Sequence, residues 1–109
     1  MEQNDLIVVL VTTPSADTAK EIAEKLLALH VAACVNIVPG VQSIYWWKEQ
    51  MERGDEVLML IKSTAERFAE LENAIRSAHP YETPEIVALP ASAVFKGYLD
   101  WVRKETLKG

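Results

Sequence analysis

The chain has 109 residues, half of them apolar and a quarter charged, the balance of one folded domain over residues 1–109 and not of a disordered segment. Eleven basic against sixteen acidic residues give a formal charge of −5, which repels phosphate backbones and argues against nucleic acid as a partner. A lone cysteine, Cys34, excludes an internal disulfide, and no apolar run nears the ~20 residues that cross a bilayer. With a polar, acidic opening (Met1-Glu2-Gln3-Asn4-Asp5) unlike a secretory signal, no membrane partner and a cytoplasmic location are expected.

Residues 6–11 form an unbroken apolar run rich in β-branched side chains, predicting a strand buried on both faces. Thr13-Pro14 opens a predicted helix, with Thr13 as N-cap and Pro14 at its first position. Its inward stripe is Ala19, Ile22, Ala23, Leu26 and Leu27, and His30 closes it as a cap. Residues 32–38 read as a second strand, bent by a bulge at Pro39-Gly40, and residues 41–47 resume it. Polar residues 48–55 read as a long hairpin connection before a third strand at 57–61.

Ser63-Thr64-Ala65-Glu66 fits a capping box for a helix that buries Phe68, Leu71, Ala74, Ile75 and Ala78 and stops before Pro80. Residues 85–89, fenced by Pro84 and Pro90, suit an edge strand. Ser92 is the expected cap of a last helix with Phe95, Tyr98, Leu99 and Val102 inward, and Arg103, Lys104 and Lys108 complement its C-terminal dipole. The order βαββαβ plus a C-terminal helix is an α+β plan, the ferredoxin-like split βαβ sandwich: one antiparallel sheet with the helices on one face.

In an extended Ile44-Tyr45-Trp46-Trp47 run, successive side chains point to opposite faces. Helices on one face cannot cover both sets. Each ring carries ~150–250 Å² of apolar surface, so a second copy of the chain is the expected cover.

Five segments then carry a specific resemblance: Ala32-Ala33-Cys34-Val35-Asn36-Ile37, Ser43-Ile44-Tyr45-Trp46-Trp47, Glu56 to Lys62 ending in Ile61-Lys62-Ser63, His79-Pro80-Tyr81-Glu82-Thr83-Pro84-Glu85-Ile86 and Tyr98-Leu99-Asp100-Trp101. In order and spacing, end to end, they resemble the CutA family of divalent-cation-tolerance proteins. The resemblance implies a homotrimer of ferredoxin-like subunits, a cytoplasmic setting, a response to divalent metal ions, copper especially, and no enzymatic activity. One departure lies in the hairpin, where Glu49 replaces a glycine usual in the family, and a different or longer turn is expected there.

The resemblance also implies a copper or other divalent-cation site made by a thiolate ending the first strand and two successive imidazoles before the Pro-Tyr pair. The matching positions hold Val11, Ala78 and His79, so His79 is the one metal candidate. The trimeric PII signalling proteins share the plan and bind effectors between subunits. On that alternative, Trp47, Lys62, Tyr81 and Glu82, with Cys34 on the second strand, are the candidates for an intersubunit cleft. Cys34 also reads as an ordinary buried thiol, and His79 as a helix-end histidine. The four dispersed glycines make no phosphate-cradling loop, and no serine has His and Asp partners at triad spacing, so no catalytic residues are assigned.

Overall fold

The computed structural model describes residues 4–107. Lys108 of the predicted basic group, and Met1, Glu2 and Gln3 of the acidic opening, lie outside the described residues. Strands β1 (Leu6–Thr13), β2 (Cys34–Trp47), β3 (Gln50–Thr64) and β4 (Ile86–Pro90) form one antiparallel sheet in the order β2-β3-β1-β4. Helices α1 (Ala16–Ala28), α2 (Phe68–Ala78) and α3 (Lys96–Glu105) complete the expected α+β order.

Strand alternation sorts the sheet into two faces. On the first, Ile7, Val9, Val11, Met59 and Ile61 pack with Ile22 and Leu26 of α1 and Leu71 and Ile75 of α2. On the second, Leu6 packs with Leu99 and Val102 of α3, joined by Val8 and Tyr98. The helices therefore do not all lie on one face, as the sequence had suggested: α3 crosses to the other. Its anchors are long-range. Arg103 Nε donates to Asp5 Oδ1 at 2.8 Å, and Asn4 Nδ2 donates to the Ala91 carbonyl at 2.9 Å. Beyond α3 this second face leaves Leu10, Leu58 and Leu60 half-buried and Val87 and Leu89 exposed.

Three predicted caps move, two of them because strand pairing holds the residue. Thr13 stays in β1 opposite Val57, so α1 starts two residues later, with Ser15 Oγ accepting the Thr18 N–H at 3.1 Å. Ser63 stays in β3 opposite Ile7, and its buried hydroxyl donates to the Val31 carbonyl at 2.6 Å. A short 3₁₀ turn, Ala65–Arg67, leads into α2 in place of the capping box. Phe95, not Ser92, precedes α3, and its ring is 80% exposed where it was expected inward. Leu27 and Ala78 likewise fall on the outer edges of their helical stripes.

Other local signals operate as read. His30 takes the left-handed conformation, φ 57°, and its N–H reaches the Leu27 carbonyl while the Val31 N–H reaches that of Leu26, which closes α1. Extended His79, held out of the helical region by Pro80, ends α2. The β2–β3 register shifts between Val38 and Val41, where Gly40 has φ 79°, so the bulge at Pro39-Gly40 is present.

Candidate functional site

Past the bulge, β2 and β3 run on as a two-stranded arm without β1 beside them. The molecule is correspondingly long, 46 × 27 × 22 Å. The arm closes at Lys48-Glu49, φ 49° and 67°, between the paired residues Trp47 and Gln50. This is a two-residue turn with both central residues left-handed, so Glu49 takes the glycine conformation and the longer loop expected over 48–55 does not form. Instead β3 starts at Gln50.

Between the arm and the segment after α2 lies a cavity of about 770 Å³. One wall is Ser43 to Trp47 of the arm; the other is Pro80 to Thr83 with Glu85, and Thr12 and Glu56 lie with them along the lining. The Tyr81 hydroxyl donates to Glu56 Oε2 at 2.9 Å and so ties the post-helix segment to β3. Burial, followed by the hydrogen bond and charge of Glu56, pushes the Tyr81 phenol up to about 12, which keeps it a neutral donor.

His79 fixes the base of this segment. Its ring is buried, with Nε2 2.8 Å from the Thr12 carbonyl oxygen and Nδ1 3.1 Å from the Tyr81 backbone nitrogen. The carbonyl must accept and the amide must donate, so the neutral tautomer protonated on Nε2 satisfies both. The Tyr81 ring stands 4.7 Å from the imidazole, centroid to centroid, tilted by 53°.

The residues present do not fit the copper site that the resemblance implies. Val11 is fully buried in apolar packing, Ala78 has no donor atom, and both nitrogens of His79 are engaged. Among the described residues no group of three or more His, Cys, Asp or Glu side chains is placed to hold a metal ion. A thiolate-imidazole centre needs converging lone pairs, and this arrangement provides none there.

The six singled-out side chains thus fall into two places. Trp47, Tyr81 and Glu82 line the cavity, with His79 behind Tyr81. Cys34 and Lys62 do not line it; they are register partners on the second sheet face. There Lys62 Nζ donates to Asn36 Oδ1, while burial and the neighbouring Cys34 push the Tyr98 phenol up. Sequence reasoning missed Glu56 and Tyr45 as cavity residues. Glu56 falls between the expected connection at 48–55 and the expected strand at 57–61, and only its strand position opposite Val41 places it.

This arrangement has close parallels. The family described as CutA1 divalent ion tolerance protein matches residues 7–105. A divalent-cation tolerance protein CutA from Thermus thermophilus is 46% identical over 99 residues, which cover 91% of this chain and 96% of that one. The solved structure of the Thermus thermophilus protein superposes with a TM-score of 0.90 at 46% identity, covering 93% of this chain and 98% of that one. A structure described as the periplasmic divalent cation tolerance protein CutA from Archaeoglobus fulgidus gives 0.91 at 36% identity, over 94% of this chain and 99% of that one. Among the described residues, no helix is long and apolar enough to cross a membrane.

Proposed function

The chain belongs to the CutA1 divalent ion tolerance family, and on that premise we propose that it works as a homotrimer that serves divalent-cation tolerance by assembly and binding, not by catalysis. One observation carries the reading. Ile44, Tyr45, Trp46 and Trp47 are 63, 46, 71 and 38% exposed, contiguous, on an arm that the other described residues leave incompletely covered. Burying indole or phenol surface contributes about 25 cal/mol per Å², so ~150–250 Å² per ring makes a covered arm several kcal/mol more stable. The exposed Val87 and Leu89 on the second sheet face add apolar surface for the same purpose. That the number of copies is three follows from the resemblance. A cytoplasmic setting is part of the proposal and rests on the free thiol of Cys34.

For this chain the tolerance role is assigned to what the assembly binds or supports, and copper held at Val11, Ala78 and His79 has no part in it. A second reading, an effector-binding trimer of PII-like plan, is favoured by the cavity beside the arm.

Light scattering tests the proposal. At micromolar concentration the protein is expected at three times its 12.2 kDa chain mass. Trp46→Glu, which places a charge where the ring needs apolar cover, is expected to give folded single chains by the same measurement and by circular dichroism. A wild-type particle of single-chain mass overturns the reading.

A further inference from the structure

We propose that the cavity between the β2–β3 arm and the segment after α2 is the seat for the arm of a second copy of this chain, with Arg53 of the seated arm against Glu82 and Glu85. The inference rests on the homotrimer reading and deepens it by naming which surface meets which. It takes the cavity away from the effector-binding reading.

The arm has two unlike sides. Residues directly opposite in an antiparallel ladder share a face, and register sets Ile44 against Arg53 and Trp46 against Met51. This outer side is exposed at all of these residues. Its charged groups are Arg53 and, nearer the bulge, Asp55. The inner side carries Tyr45 against Glu52 and Trp47 against Gln50, and continues to Glu56 against Val41. It turns to the cavity, where Tyr81 holds Glu56 from the far wall. Ile44 and Trp46 border the cavity as well, yet by register they belong to the outer side.

Symmetry and chemistry both favour seating one side in the other. A ring of three copies is heterologous: each copy must present two different, complementary patches, whereas one self-matching patch closes a dimer. The outer side offers apolar Ile44, Trp46 and Met51 with a guanidinium beside them. The cavity offers the rings of Tyr45, Trp47 and Tyr81, and its charged lining residues are Glu56, Glu82 and Glu85, all carboxylates. A guanidinium suits that mixture, since it stacks on ring faces and pairs with carboxylates through its fork of donors. Among the described residues, Arg53, Glu82 and Glu85 make no ion pair within the chain, which leaves them to a neighbour. A small molecule in the cavity would leave Ile44, Trp46 and Met51 wet. A seated arm covers both patches in one contact.

Charge reversal, read by light scattering over a dilution series, tests the pairing. Arg53→Glu is expected to raise the concentration at which trimers dissociate by about tenfold, and Glu82→Arg with Glu85→Arg to do the same, through like charges meeting in the seat. All three changes in one chain bring it back to within about threefold of wild type, because the pair is then restored with its signs exchanged. Lys20→Glu, an equal charge change on the exposed side of α1, leaves it unmoved. Should circular dichroism show that the reversal at Glu82 and Glu85 disturbs folding, Glu82→Gln with Glu85→Gln replaces it: Arg53→Glu must then weaken wild-type trimers more than trimers lacking the two carboxylates. Two results overturn the seating and leave the homotrimer standing. One is Arg53→Glu behaving as Lys20→Glu does; the other is a loss that the combined reversal fails to recover, which gives the cavity to another occupant. A wild-type particle of single-chain mass removes the homotrimer and this contact together.

Discussion

The two halves of the β2–β3 hairpin both set apolar residues on one alternating face and differ in what reaches them. In the proximal half, Val35, Ile37, Met59 and Ile61 belong to the packing beneath α1 and α2. In the distal half, past Pro39-Gly40, Ile44, Trp46 and Met51 follow the same alternation and stay exposed. The change occurs at the bulge, where the ladder is interrupted and the ribbon leaves the sheet body. Apolar patterning specifies which side chains want cover. Topology decides whether the chain has anything to cover them with.

Truncation in each half should break this comparison most visibly. Met59 is fully buried, so Met59→Ala should lower the unfolding free energy by about 2–5 kcal/mol through lost transfer energy and a residual cavity. The loss should appear at every protein concentration in chemical denaturation. Trp46→Ala should act differently, removing the dependence of the melting temperature on concentration that assembly confers. If Trp46→Ala cost as much as Met59→Ala at dilutions where the chains have separated, the distal half would have intrachain partners after all.

Legibility in the sequence follows the same division between local and nonlocal causes. The unbroken run around Val9, the stripe of Ile22 and Leu26, the Pro80 stop and the Pro39-Gly40 bulge depend on a few neighbouring residues, and all four stand. The caps at Thr13 and Ser63 failed because strand pairing with Val57 and Ile7 claims those residues before a helix can. The face taken by α3 depends on Asp5 and Asn4, almost a chain length away. The candidate site divides likewise. Aromatic density in the arm and the His-Pro-Tyr-Glu run marked Trp47, Tyr81 and Glu82, whereas Cys34 and Lys62 belong to another surface. Which strand end faces which loop is a property of register, and Glu56 was invisible without it.

Burial of the Tyr81 phenol, together with its hydrogen bond to Glu56, gives a pH signature of smaller size. The phenol titrates near 10 in an unfolded chain and at about 12 in the fold. Between those values the unfolded state releases a proton that the folded state retains, so stability present below pH 10 is lost as pH rises toward 12. Tyr81→Phe should flatten that portion of the stability curve relative to wild type. Identical alkaline slopes in denaturant titrations at pH 9, 10 and 11 would mean that the fold does not hold this phenol above its ordinary value.

The smallest expected effect concerns the tip of the distal arm and has an unusual sign. Glu49 holds φ 67° beside Lys48 at φ 49°, as a two-residue turn between twisted strands requires. Left-handed backbone costs an L-residue about 1–2 kcal/mol, which glycine avoids, while glycine's extra freedom in the unfolded chain takes back about 0.5–1. Glu49→Gly should therefore stabilise the protein by about 0.5–1 kcal/mol, a net gain from deleting a side chain. Asp55, within β3 and paired with Gln42, has no left-handed strain to relieve. Asp55→Gly in the same arm should therefore destabilise by about 0.5–1 kcal/mol through the entropy term alone. Opposite shifts in melting temperature for these two glycines would locate the strain at the turn. Shifts of the same sign would show that the arm's stability is set by strand pairing or by its cover, with the turn conformation following at no cost.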